Sequence, residues 1–466
     1  FDLPLMKNKA LCKEYYPLHQ REDLEWLRDN WAMSKMNTKQ PISKIRDYFG
    51  EKLALYFAWL TFYTEWLLFP FIIGVPVFAL LMWRFYANRD EIHLEAGSWE
   101  GGTKTVIVDE YIYVYFIFLL FLIFWSICLT IFWERREKRL ALVWGTLGIK
   151  KIEPPRPDFQ GELLRNPVTE KMERFFPPGK RKKKLLVSYS VLLTILGLVI
   201  VTVFAIFWLK FYVKNKSLFI GNQLVLVNFL FSIMNAVQIH LFNFIYGKLA
   251  VKFTNWENHR LQSEYEGSLI YKNFAFKVVN SYNSFFYIAF LKERIECSDA
   301  NLTDDETCKN IAFELVVQLV SIFVIQLVMN MVEVTIPFMT QRMAIRAESK
   351  KLEKMQKESP EKKFRDKLCY AEAQAKLADD TGTLNEYLEL TIQYGFMLLF
   401  CVAFPLAPLL AMLSNLFEIR VDSVKLCYLT QRPEPERADS IGNWLTLMKV
   451  ITIIGKTRNF QVAVRQ

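Results

Sequence analysis

Histidine is scarce in this 466-residue chain: there are four (His19, His93, His240 and His259), and none pairs with a cysteine at ligand spacing. Zinc, which needs imidazole and thiolate donors at short intervals, is therefore disfavoured. Glycine-rich phosphate loops are absent, and no nucleophile stands near a base, which argues against an ATP-driven pump or an intramembrane hydrolase. Residues 1–50 contain no apolar core ahead of a small-residue cleavage site and are densely charged, as at Arg21-Glu22-Asp23. No cleavable signal peptide is visible there.

What the chain has in excess is apolar surface. It is 52% hydrophobic and 15% aromatic. Its mean hydropathy is +0.14, where a soluble chain of this length averages below zero. Four runs, Leu53–Trp83, Tyr111–Trp133, Leu185–Leu209 and Ile311–Pro337, are each long enough to cross ~30 Å of hydrocarbon at ~1.5 Å per residue. Phe219–Leu249, Tyr271–Leu291, Glu386–Ala403 and Pro405–Tyr428 carry more polar residues and are read as spans lining something polar. Ile441–Gly455 is too short to cross before Lys456 and Arg458 and begins a ninth helix. The expected architecture is an all-α, polytopic transmembrane helix bundle with about eight to nine visible spans, the first serving as its own insertion signal. Because the chain opens on Phe1, an upstream cytosolic domain is expected.

Charge sets the orientation. Residues 134–184 hold 15 Lys or Arg, including Lys180 to Lys184, so this loop is expected in the cytoplasm. Counting spans from it gives a cytosolic segment 1–50, helices one to five over 51–292 and an outer loop 293–310. Helices six to eight then occupy 311–428 with a cytosolic connector 340–384, and 429–466 is a cytosolic loop plus the incomplete ninth helix. The amino terminus faces the cytoplasm, in the plasma membrane or the endoplasmic reticulum. The two Asn-x-Ser/Thr sequons, at Asn215 and Asn301, both fall in expected outer loops, and Cys297 and Cys308 share the second of these as a disulfide candidate or as two free thiols. The net charge of +10 flanks spans instead of forming an aromatic-interleaved surface, so anionic inner-leaflet lipid is the expected partner, and nucleic acid is not.

Three segments place acids or amides where hydrocarbon should be: Asn330 with Glu333, Glu386 with Glu389, and Glu418 with Asp422. Their spacings of three or four residues put each pair on one helix face. Glu333 lies near the inner end of an inward-running span, Glu386 and Glu389 begin an outward-running one, and Asp422 lies ~25 Å along the next. All three pairs are thus expected at the cytoplasmic third of the membrane. Five carboxylates that close repel one another, and only Arg420 and Lys425 are near in sequence. A hard cation with several oxygen ligands suits them: two Ca²⁺ nearly balance the charge, whereas Mg²⁺ wants a smaller, rigid octahedron. The alternative is that each acid sits singly in headgroups or an aqueous vestibule.

The chain also resembles the anoctamins, calcium-activated anion channels and lipid scramblases. The resemblance runs from about Ile42 to Gly442, through Tyr48-Phe49-Gly50-Glu51-Lys52, Leu55-Tyr56-Phe57-Ala58-Trp59, Asn255-Trp256-Glu257-Asn258-His259-Arg260 and Phe286-Tyr287-Ile288-Ala289-Phe290. It continues through Glu386-Tyr387-Leu388-Glu389, Phe404-Pro405-Leu406-Ala407-Pro408-Leu409 and Asn415-Leu416-Phe417-Glu418-Ile419-Arg420-Val421-Asp422. The resemblance implies ten spans, a homodimer formed through the last of them, and two Ca²⁺ per subunit held by Glu333, Glu386, Glu389, Glu418 and Asp422. The family usually has Asn four residues before the sixth-helix Glu; Met329 stands there, and Asn330 is expected to substitute. The sixth helix lacks the glycine hinge of some members, which leaves Pro337 as its obvious breaker.

A polar track follows the fourth to sixth spans: Asn228, Ser232, Asn235, Asn243 and Tyr246, then Lys277, Ser281 and Ser284, then Gln318 and Gln326. Such stripes either bond packed helices together or, as the resemblance implies, line a groove open to lipid in scramblases and closed into a pore in channels. The leading expectation is calcium-activated, ATP-independent phospholipid scrambling, which is transport and not enzymology. A calcium-activated chloride channel is the alternative, and a membrane tether without transport the third.

Overall fold

The computed structural model describes residues 16–34, 39–92, 112–148, 153–165, 170, 172–215, 223–292, 311–358, 369–380 and 382–465. Helix dominates throughout. Two compact units form, one holding residues 149–325 and the other residues 16–148 together with 326–466.

In the second unit, α1 (Arg21–Leu27) and α2 (Ile42–Phe49) precede α3 (Glu51–Trp66) and α4 (Leu68–Ile92). The sequence reads the latter two as a single span, and the interruption between them has a local cause. Pro70 has no N–H to offer the carbonyl of Trp66, so the helix breaks there, and the indole Nε1 of Trp125 donates to that carbonyl at 2.8 Å instead. Trp125 belongs to α5 (Ile112–Val143). A short helix, α10 (Tyr370–Gln374), precedes α11 (Leu384–Phe400), which a short turn joins to α12 (Ala407–Val424). Gly74 of α4 packs so tightly there that a Cβ would stand 2.1 Å from the carbonyl oxygen of Pro405. The last helix, α13 (Asn443–Arg465), packs on α11 and α5. Tyr394 and Thr452 bond at 2.7 Å across the first of these contacts.

Below these helices, the chain before α3 is clamped to the chain after α12. Arg432 donates to the carbonyl of Tyr48 and lies over its ring. Buried His19 makes two bonds, Nε2 to the carbonyl of Thr430 at 3.2 Å and Nδ1 to the hydroxyl of Tyr48 at 2.8 Å. A carbonyl only accepts, so Nε2 carries the proton and Nδ1 accepts from Tyr48. Burial, with Arg432 and Arg28 nearby, lowers the His19 pKa and keeps the ring neutral.

The first unit contains a hairpin, β1 (Glu162–Arg165) with β2 (Met172–Phe175), paired Glu162 to Phe175. It is followed by α6 (Pro178–Asn215), α7 (Gln223–Trp256) and α8 (Gln262–Phe286). These three helices pack against one another, with Val203, Phe207, Tyr287 and Ile288 forming an apolar cluster against Leu315.

Five described helical stretches are long and apolar enough to cross a membrane: Glu51–Trp83, which joins α3 to α4, Tyr113–Val143, Pro178–Val213, Phe229–Trp256 and Glu314–Ala344. They match the four unbroken runs and the first of the polar ones. The remaining expected spans are helical but carry acids and amides or are short, as α8, α11 and α12 show. The expected breaker at Pro337 does not break its helix. Instead α9 (Ile311–Glu358) continues through it, because a proline removes only its own bond to the carbonyl four residues earlier, here that of Glu333. Asn301, Cys297 and Cys308 lie outside the described residues, as does Ser217 of the other sequon, whose Asn215 ends α6.

Candidate functional site

The acidic residues all lie in the second unit, on three helices. Asn330 and Glu333 are on α9, Glu386 and Glu389 on the first two turns of α11, and Glu418 and Asp422 one turn apart on α12. Asn330, Glu418 and Asp422 are buried, Glu386 and Glu389 half-buried, and Glu333 exposed. Glu418 lies within electrostatic reach of Asp422, Glu389 and Glu386, and Asp422 within reach of Glu386 and Glu333. The three pairs thus share one electrostatic neighbourhood.

Contacts inside that neighbourhood are few. Tyr56 of α3 places its hydroxyl 2.5 Å from Asp422 Oδ2 and 3.3 Å from Glu418 Oε1. Gln326 donates to Glu389 at 3.3 Å. Lys425, in the turn that continues α12, reaches Glu333 at 2.7 Å and Glu386 at 3.1 Å. Arg420 donates elsewhere, to the carbonyls of Trp31 and Ala32. The second carboxylate oxygens of Glu386 and Glu418 are buried without a hydrogen-bond partner, and so are both side-chain polar atoms of Asn415. Unpartnered buried oxygens on a surplus of acids fit a hard cation. Among the described residues, no three His, Cys, Asp or Glu side chains already form a ready metal cluster; Lys425 and Tyr56 hold several of the acids that such a cluster needs.

The polar track belongs mostly to the first unit, where most of its described side chains are buried. Asn228, Ser232, Asn235, Asn243 and Tyr246 lie on α7, Lys277, Ser281 and Ser284 on α8, and Gln318 and Gln326 on α9. Ser232, Asn235, Tyr246, Ser281, Ser284 and Gln318 are buried. Asn280 ties α8 to α7, donating to Asn243 at 3.0 Å and to the carbonyl of Ile239, and accepting from Gln238. Both amide atoms of Asn235, the Ser284 hydroxyl and the Gln318 amide nitrogen are buried without hydrogen-bond partners. Asn243 is thus bonded across the α7–α8 contact, while Asn235, Ser284 and Gln318 carry desolvated polar atoms.

A family model described as "Anoctamin: Calcium-activated chloride channel" matches residues 45–464. The chain belongs to the anoctamin family. It is 30% identical to Anoctamin-10 of Mus musculus over 456 residues, covering 97% of this chain and 62% of that protein. Identity to Anoctamin-7 of Homo sapiens is 31% (95% of this chain, 50% of the relative), and to Anoctamin-3 of Mus musculus 30% (98% and 50%). This anoctamin chain thus spans between half and about three fifths of the length of these relatives. It is an integral membrane protein of an all-α, polytopic fold.

One motif that carries the family resemblance turns out to be a structural knot of this anoctamin. Glu257 is fully buried and ion-paired to buried Lys272. His259 lies beside it, with Nε2 2.8 Å from the Glu257 carboxylate and Nδ1 facing Arg181 at 3.1 Å. Since a guanidinium only donates, Nδ1 accepts and Nε2–H donates to Glu257. Burial by itself would raise the Glu257 pKa, but the bonds from His259, Lys272 and Ser188 outweigh it and hold the carboxyl at about 2. Asn258, at φ +60°, clasps Gln160 by both its backbone groups, at 2.9 and 2.7 Å.

Reading the sequence missed Tyr56 and Asn415. An aromatic inside an apolar run looks like any core or lipid-facing residue. Asn415 carried a usable sign, since it stands three residues before Glu418 on the same helix face.

Proposed function

We propose that this chain is the membrane core of a calcium-activated, ATP-independent phospholipid scramblase. The observation that carries the calcium half is the surplus of acid on α9, α11 and α12, with buried carboxylate oxygens lacking partners. Asn330, Glu333, Glu386, Glu389, Glu418 and Asp422 are the proposed ligands for two Ca²⁺, with Asn415 adjoining them. Bound calcium supplies the positive charge that lets these carboxylates approach one another. Glu333 is the acidic ligand position on α9, one turn after Asn330, and its backbone carbonyl is the one that Pro337 leaves without a helical partner, so this turn is the place where α9 yields most easily. Moving Glu333 toward α11 and α12 moves the inner half of α9 with it.

The lipid half rests on the chemistry of the stripe. Its donors and acceptors are neutral amides and hydroxyls, with Lys277 the one cation among the ten named positions. Anion-selective pores concentrate Lys or Arg in rings, whereas a zwitterionic headgroup is served by neutral donors and acceptors. The second reading, a calcium-activated chloride channel, is favoured by one observation: six of the ten stripe residues are buried.

Reconstitution with fluorescent lipid tests both readings. Calcium-dependent dithionite bleaching beyond half of the label, lost in Glu418→Gln, supports scrambling gated at the acids. Chloride efflux without lipid movement favours the channel. If neither lipid nor chloride moves, the transport reading fails and a tether takes its place.

A further inference from the structure

Lysine near a membrane boundary ordinarily extends its ammonium to water or headgroups. Lys425 does the reverse: its side chain is 15% exposed, while Glu333, which it meets, is 55% exposed. It stands three residues after Asp422 on the continuation of α12, and its one ammonium joins Glu333 of α9 to Glu386 of α11. Among the described ion pairs it is the cation that meets the acid cluster.

We propose that Lys425 is a tethered counter-ion of the cation site, which calcium must displace from Glu333 and Glu386 in order to bind. This rests on the calcium reading above and adds a regulatory residue to it. The oxygens that Lys425 holds are Oε1 of Glu333 and Oε1 of Glu386. A cation ligated by the same carboxylates at ~2.3–2.6 Å would stand within a few ångströms of the ammonium, where like charges repel strongly in a partly desolvated setting. Occupancy by lysine and occupancy by calcium therefore oppose each other at these two carboxylates. Two consequences follow from linkage: Lys425 weakens calcium binding, and calcium releases Lys425. The tether also keeps α9, α11 and the end of α12 bridged by a monovalent group that neutralises one acid where calcium neutralises two.

Equilibrium calcium binding to the detergent-solubilised protein, measured calorimetrically, tests the first consequence. Lys425→Met is expected to tighten binding about tenfold, or ~1.4 kcal/mol. Lys425→Arg, which keeps the charge, is expected to stay near wild type. Lys449→Gln serves as a control for net charge, because Lys449 pairs with Glu134 instead, and it is expected to change nothing. The second consequence is read on the unmodified sequence, so that misfolding of a variant cannot mask it: acylation of Lys425 by acetic anhydride, followed by mass spectrometry, is expected to rise several-fold when calcium is added. Equal or weaker calcium binding by Lys425→Met, or labelling that calcium leaves unchanged or lowers, overturns the tether while leaving the calcium reading intact. Absence of calcium binding in both wild type and Lys425→Met overturns the calcium reading and the tether together.

Discussion

Both units of this anoctamin bury carboxylates, and they treat them in opposite ways. In the first unit, Glu257 has Lys272 and His259, and Glu314 has both Lys210 and Lys292. In the second unit, five acids on three helices meet Lys425, a tyrosine hydroxyl and an amide. A buried acid that already has its own cations is a fixed piece of structure, because removing a partner strands the remaining charge. A surplus of one sign is a device that waits for a counter-charge from outside. The difference separates structural carboxylates from the proposed cation ligands without reference to any relative.

The largest expected effect breaks the balanced side. Glu257→Gln leaves Lys272 buried without its partner and is expected to destabilise the protein by ~3–5 kcal/mol, read as a lowered thermal unfolding midpoint in detergent, with calcium binding retained. Glu418→Gln is expected to do the reverse, leaving stability nearly unchanged because one repelling charge is gone, and abolishing the calcium-induced rise in that midpoint. Tyr56→Phe removes the hydroxyl facing Asp422 and Glu418 and is expected to cost ~1.5–3 kcal/mol without calcium. Most of that loss should be restored when calcium is added, since the cation then takes over the role of the proton. Acid titration distinguishes the units further. The Glu257 carboxyl is depressed, so the stability it contributes is complete above about 4.5 and is lost as pH falls through about 2. The smallest effect is that of His19. Its pKa lies below 6.5 in the folded protein, so the unfolded chain binds the proton more readily, and stability should begin to fall as pH drops below about 6.5. His19→Gln should blunt that fall.

Much of the fold was legible because bilayer crossing needs length and apolarity, which a sequence displays openly. The runs beginning at Leu53, Tyr111, Leu185 and Ile311 all became helices of the expected kind. The Trp66 break, the unbroken passage through Pro337 and the Glu162–Phe175 hairpin were not legible. The first two depend on whether a freed carbonyl finds another donor or a supporting turn on each side, and the hairpin strands are only four residues long. At the proposed site, helical spacing could place each pair of acids on one face, because i,i+3 and i,i+4 positions share a face. Lys425 was visible as a cation beside Asp422, but not which acids it meets, because its partners are 92 and 39 residues away. In the polar stripe, spacing marked a shared face but not what that face meets, and Asn280 proved to be a bond between α7 and α8.

The most direct measurement is equilibrium calcium binding to wild type, Glu418→Gln and Glu257→Gln in the same detergent. The expected result is about two Ca²⁺ per chain in wild type and in folded Glu257→Gln, with binding lost or sharply weakened in Glu418→Gln. Equal binding by wild type and Glu418→Gln, or none by wild type, would contradict the assignment of the acid surplus in the second unit as the cation site.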